Sequence, residues 1–199
     1  VVQCNLHLSN SVFEVGMDQA VLTLAQRVRV PGFLLLYRDA VRPQVLHYRT
    51  WRHGDLVYES AERRGAHLDR LMQKHGPELL HRSDGSLRQL FGQARGRTSE
   101  VVLISGASSG EHLGKIVLWS DEDFSAYTME LVRLLASGLS QRLLDYNRER
   151  IHLSQFFPSR AIDELLRDPA YANHLRPQDQ ELGILFADIN GFTRICERG

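Results

Sequence analysis

The segment FSAYTMELVRLLASGLSQRLLDYNRERIHLSQFF, from Phe124 to Phe157, constrains the fold of this chain more than any other. It runs without an internal proline until Pro158, so nothing in it removes an amide or blocks the turns of an α-helix. Asp121 and Asp123 stand just before its start, where the helix dipole favours carboxylates. A mostly apolar stripe passes through Val132, Leu135, Leu139, Leu143, Tyr146, Arg150, Leu153 and Phe157. Its steps of three and four residues make a heptad ladder with one four-residue insertion, which locally unwinds a coiled coil without ending it. The stripe has two uses. Its first half can pack on a sheet of the same chain with the second half a solvated connector, or the second half can pair with a second copy. The ladder favours the second use, a parallel coiled-coil homodimer through residues 131–157, with Arg150 a weak point in the seam.

The residues before this helix supply a surface for it. Asn10 and Ser11 can cap a helix over GMDQAVLTLAQRVRV, where Val21, Leu22, Leu24 and Val28 keep helical spacing until Pro31. GFLLLYRD is a nearly continuous apolar run, a buried strand, and QVLHYRTW alternates as its antiparallel neighbour; with DAVRPQ as the turn, residues 32–51 form a hairpin. SAERRGAHLDRLMQK predicts a helix with Leu68, Leu71 and Met72 on one face, and PELLHRSD a short strand. SDGSLRQLFGQARGRTS predicts a long loop with one helical turn at Leu87 to Phe91. EVVLISGA and GKIVLWSD are two strong strands around a turn at Ser108, Ser109 and Gly110. Beyond Pro158, SRAIDELLRD restarts a short helix capped by Ser159, and DPAYANHLRPQDQE is a polar loop. Strand pairs joined by local turns imply an α+β fold, an antiparallel sheet sandwiched with helices.

Charge excludes some partners. Lys plus Arg and Asp plus Glu number 24 each, so no basic excess points to nucleic acid or an anionic membrane surface. No apolar run reaches the roughly 18 residues that span a bilayer, and no signal peptide stands at the start. Cys4 and Cys196 lack metal spacing and lie almost the whole chain apart, which suits a reducing, cytoplasmic setting. The chain opens on VVQCNL without Met, as expected if an upstream region is missing. The nine histidines show no HxxxH or His–carboxylate spacing. His47 and His53 fall in the hairpin and the loop after it, His75 and His81 near a pocket wall, and all four are expected as surface or satisfied core residues. Trp51 and Trp119 are expected in the core or at a sheet edge.

The chemistry-bearing stretch is LGILFADINGFT, residues 182–193. An apolar strand delivers Asp188 to a turn containing Asn190 and Gly191. A carboxylate, a neighbouring carbonyl and turn amides suit a divalent cation carrying phosphate oxygens. The same spacing equally suits Asp188 as the cap of a following helix.

FADINGFT resembles the first metal-binding motif of the class III nucleotidyl cyclases, and LSQFFPSRAIDELL resembles the transducer element that precedes such catalytic domains. The resemblance implies that Asp188 binds metal through its side chain and Ile189 through its carbonyl. Gly191, Phe192 and Thr193 would then offer amides to the triphosphate of ATP or GTP. Two Mg²⁺ or Mn²⁺ ions would stabilise attack of the ribose 3′-hydroxyl on the α-phosphate. Other residues of such a site would follow Gly199, so these 199 residues alone are expected to be inactive.

Residues 10–146 resemble a GAF domain in the order of elements and in the closing pattern LGKIVLWSDEDFSAYTMELVRLLASGLSQRL. The Asn-Lys…Phe…Asp-Glu signature of cyclic-nucleotide-binding GAF domains is absent, which leaves an unassigned small-molecule ligand. The division that results is a GAF-like sensor at 10–146, a coiled-coil and transducer linker at 147–180, and the opening of a cyclase catalytic domain at 181–199. The implied function is the regulatory part of an adenylate cyclase that converts ATP to cyclic AMP and diphosphate. Two alternatives are a non-enzymatic ligand-binding or dimerising GAF module and a GAF-linked diguanylate cyclase. The latter family's domains usually carry Lys where Thr193 stands, and an opening that residues 147–181 lack.

Overall fold

The computed structural model describes residues 6–28, 30–60, 66–81, 97–104, 112–176 and 183. Side-chain alternation in one strand organises the layers. Strand β1 (Gly32–Arg38) has no polar face and is buried from Gly32 to Tyr37. It pairs antiparallel with β2 (Leu46–Arg52), setting Phe33 opposite Trp51 and Tyr37 opposite His47. On its other edge it pairs antiparallel with β5 (His112–Ser120), setting Phe33 opposite Leu118. Strand β3 (Asp55–Glu59) extends the sheet beyond β2, and β4 (Arg97–Ile104) extends it beyond β5. The order is β3-β2-β1-β5-β4.

Because successive strand residues face opposite ways, β1 feeds two cores. Phe33, Leu35 and Tyr37 join Trp51, Ile116 and Leu118 beneath helices α1 (Phe13–Ala25) and α3 (Ala126–Ser154). Leu34 and Leu36 join Leu46, Tyr48 and Val117 on the opposite face. That face is covered by Leu68 and Met72 of α2 (Ala66–His75) and by Leu79 and Leu80 of a 3₁₀ turn, Gly76–Leu80. Helical segments therefore sandwich the sheet from both sides. Each fully buried Leu of this kind contributes about 2 kcal/mol of transfer free energy.

Several elements depart from the sequence reading. PELLHRSD is not a strand: Pro77 lacks an N–H and suits the first turn of a helix, and Gly76–Leu80 forms the 3₁₀ turn. The sequence reading omits β3, which follows β2 through a two-residue turn with positive φ at His53 (54°) and Gly54 (93°). That pairing is the hairpin geometry that matches strand twist. Helix α1 begins at Phe13 with Val12 as N-cap, and Asn10 Oδ1 accepts from the Val12 amide at 2.9 Å. Helix α4 (Ser159–Arg167) is N-capped by Pro158, so Ser159 is its first residue rather than its cap. The expected polar loop after it contains a short helix, α5 (Tyr171–His174). The helical turn at Leu87 to Phe91 and the Ser108–Gly110 turn lie outside the described residues.

The long helix starts where Ser125 accepts from the Thr128 amide at 3.0 Å. Its stripe is used within this chain. Val132, Leu135, Leu139, Leu143, Tyr146, Arg150 and Leu153 are all buried. The helix lies on β4 and β5, and α1 and α4 fold against it. Phe13 stacks on Tyr146 with ring centroids 4.4 Å apart, and Ile162 and Leu166 of α4 enter the same core. The face read as a dimer seam is thus occupied by the chain's own side chains. Among the described residues no helix is long and apolar enough to cross a membrane.

Candidate functional site

Several buried charged side chains, Asp39, Arg49, Glu59 and Arg150, gather where β1, β2, β3, α1, α3 and α4 converge; Lys115 is buried separately, paired with Glu100 of β4 at 3.0 Å. Asp39 directly follows β1, and its Oδ1 accepts from the backbone amides of Val41 (2.9 Å) and Arg42 (2.8 Å). Such a local carboxylate turn is a common way to reverse a chain. It leaves Oδ2, fully buried, facing three donors. They are His47 Nε2 at 2.8 Å, Arg42 Nη2 at 3.3 Å and Arg150 Nη2 at 3.4 Å. His47 reaches Asp39 because the β1–β2 register sets it opposite Tyr37, just inside the turn.

Burial alone would push the Asp39 carboxyl up. The His47 hydrogen bond, the Arg42 amide and the charge of Arg150 outweigh that cost and hold it well below the usual carboxylate range. A carboxylate only accepts, so His47 donates from Nε2. Its Nδ1, 3.3 Å from Ser60 Oγ, accepts the Ser60 hydroxyl when the imidazole is neutral. Hydroxyl, imidazole and carboxylate in series resemble a nucleophile relay. Here, however, Asp39 is shared with two arginines, and Ser60 Oγ also accepts from the Tyr48 amide at 3.4 Å. The series serves as a lock between β2, the end of β3 and the turn after β1.

Arg150 extends the lock to the exit helix and beyond. Its side chain is 3% exposed. Besides Asp39, it donates to Asp163 Oδ1 of α4 at 2.5 Å and to the Tyr146 hydroxyl at 3.3 Å. Burial would lower the Arg150 pKa, but Tyr146, Asp163 and Asp39 together raise it, so the guanidinium stays charged. One side chain therefore joins the end of β1 to α3 and α4. The residue read as a weakness in a dimer seam is the centre of a buried ion-pair network.

A second arginine lies on the same sheet face two residues beyond His47. Arg49 donates to Asp18 of α1 at 2.7 Å and to Glu59 of β3. Asp18 also accepts from Trp51 Nε1 at 2.9 Å. Burial would lower the Arg49 pKa, and Asp18 raises it. Between the two arginines lies a cavity of about 50 Å³, lined by Glu14, Tyr37, Arg49, Tyr146, Arg150 and Asp163 among others. Burial pushes the Tyr146 hydroxyl up to about 12 and the Tyr37 hydroxyl well above its ordinary value, with the Glu14 charge acting in the same direction. Both tyrosines thus stay neutral hydrogen-bonding groups at any physiological pH.

His53 and His81 are exposed and His47 is a satisfied histidine, as expected, although no sequence spacing signals its pairing with a carboxylate. His47 is paired with a buried carboxylate, and His81 stacks on His112 with centroids 4.4 Å apart. Trp51 and Trp119 are buried, as the sequence implies. Asp188, Ile189, Gly191, Phe192 and Thr193 lie outside the described residues. Among the described residues, no group of three or more His, Cys, Asp or Glu could hold a metal ion. No protein-family model, curated protein or solved structure matches the chain.

Proposed function

We propose that this chain is the sensing and signal-transmitting part of a class III nucleotidyl cyclase, an adenylate cyclase that makes cyclic AMP and diphosphate from ATP. The catalytic assignment rests on the likeness of FADINGFT to the family's first metal-binding motif. In that reading Asp188 and Ile189 bind Mg²⁺ or Mn²⁺, and Gly191, Phe192 and Thr193 hold the triphosphate.

One observation carries the transmission part. Arg150 contacts Asp39 at the end of β1 and Asp163 on α4, within the segment that resembles the transducer. A change in the sheet that moves Asp39 alters the support of α4 through one shared guanidinium. The antiparallel sheet, its flanking helices and the long exit helix support the GAF-like reading of residues 10–146. Pairing of two copies through residues 131–157 would use the outward face of α3, around Leu134, Gly138 and Gln141, because the inward stripe is already buried.

Cyclase turnover in the full natural protein tests the proposal. Asp188→Asn should lose nearly all cyclic AMP formation from ATP with Mn²⁺, while the sedimentation coefficient stays unchanged. Retained turnover refutes the metal assignment. The second reading, a non-enzymatic ligand-binding module, is favoured by the small cavity between Arg49 and Arg150. It predicts no turnover in the full protein with any purine nucleoside triphosphate.

A further inference from the structure

Helix α3 carries a second ladder on the face opposite its buried stripe, and that ladder is symmetric about the buried Leu139. Ser137 and Gln141 lie two residues either side of Leu139, and Leu134 and Leu144 lie five. Glu130 and Arg148 lie nine residues either side, and Tyr127 and Ile151 lie twelve. Taken in order, these residues follow alternating steps of three and four, the spacing of a helix–helix seam. The face is open: Tyr127 is 67% exposed, Leu134 40% and Ile151 48%, large values for apolar side chains. Leu8 and Ser9 stand beside Leu134, Gly138 and Gln141, and a groove of about 430 Å³ runs between them.

We infer that this face is the contact between two copies of the chain, with their α3 helices antiparallel about a two-fold axis at the level of Leu139. A two-fold contact uses the same patch on both copies, so the patch must complement itself. The ladder does. Leu134 of one copy meets Leu144 of the other, Tyr127 meets Ile151, and the polar Ser137 meets Gln141. Charge decides the orientation. Antiparallel packing sets Glu130 against Arg148 in two layers, whereas parallel packing in register sets Glu130 against Glu130 and Arg148 against Arg148, which repel. Within one copy these two side chains pair with Arg133 at 3.8 Å and Asp145 at 3.7 Å. Such exposed pairs contribute little and leave both charges free to engage a partner. The inference rests on the pairing of copies in the proposed function and adds its orientation, which places the two α4 helices at opposite ends of the pair.

Sedimentation equilibrium of charge variants of the 199-residue chain tests it. Glu130→Arg and Arg148→Glu each put like charges in both layers and should weaken the dimer by about tenfold or more, since two ion pairs are lost and reversed. Combining the two substitutions rebuilds both pairs and should restore the parental affinity. Circular dichroism should be the same in all variants, because both side chains are exposed. Spin labels at Ala126→Cys, in a Cys4→Ser and Cys196→Ser background, read the orientation. Antiparallel packing sets the labelled positions about 40 Å apart at 1.5 Å rise per residue, and parallel packing sets them within about 20 Å. A chain that stays monomeric at every concentration overturns both this inference and the pairing itself, and leaves the face to an unlike partner. A dimer with the short label distance, or one that the combined variant does not restore, overturns the antiparallel arrangement alone.

Discussion

Replacing Arg150 by Met should destabilise the fold by about 2–3 kcal/mol. Removing one partner of a buried ion pair typically costs about 3–5 kcal/mol, because the remaining charge is left in a low dielectric. Here the loss is smaller for two structural reasons. Asp39 keeps the Val41 and Arg42 amides at 2.9 and 2.8 Å and His47 at 2.8 Å. Asp163 is 44% exposed and rehydrates, so that half of the interaction counts for under about 1 kcal/mol. Met preserves the apolar stem, which separates charge from packing. For a chain of this length the midpoint of thermal unfolding should fall by roughly 5–10 °C. A double-mutant cycle with Asp39→Asn should show a coupling of about 1–2 kcal/mol. A stability within about 0.5 kcal/mol of the parent protein, a typical effect of a neutral surface change, would refute the reasoning. So would strict additivity of the two substitutions.

Other expectations follow from single contacts. The folded-state pKa of Asp39 is depressed, so its contribution is fully present above the ordinary carboxylate value of about 3.9 and is lost as pH falls below it. Acid unfolding monitored by circular dichroism should therefore be less steep in Asp39→Asn than in the parent protein. Gly32→Ala would place a Cβ 1.7 Å from the Trp119 ring, forcing that buried indole to move. A loss of about 2 kcal/mol or more in urea unfolding, with a changed near-ultraviolet signal, is expected. Ile162, fully buried on α4, should cost about 2–4 kcal/mol as Ala, read as faster hydrogen exchange over 159–167. Exchange unchanged in that segment would mean that Ile162 does not hold α4 to the body.

The sheet and the long helix were legible because their signals are local. GFLLLYRD and GKIVLWSD are apolar runs of strand length, and a proline-free amphipathic segment leaves few options beside a helix. The use of the helix was not legible. A heptad-like stripe is the same pattern whether a second copy or α1 and α4 cover it, and only the fold distinguishes them. Strand β3 went unread because DLVYE is short and begins after a His-Gly pair, a weaker turn signal than Asn-Gly. The 3₁₀ turn hid behind Leu79 and Leu80, whose apolar character is common to strands and buried turns.

The polar network was the hardest part to foresee. Asp39 and His47 are eight residues apart and meet only through hairpin register; Asp39 and Arg150 are 111 apart and meet only through tertiary packing. A charged residue on an otherwise apolar helical stripe was the one available signal. Arg150 read as a defect because a partner in the same chain has no sequence signature.

The central claim is that the state of the turn after β1 reaches α4 through Arg150. Hydrogen exchange of residues 159–167 in Asp39→Asn measures this directly, because Asp39 bonds to Arg150 across 111 residues of sequence while the α4 contact belongs to Asp163. Exchange in α4 should accelerate more than exchange in β1 and β5. Acceleration confined to the β1–β2 turn, or equal across all elements, would contradict the coupling.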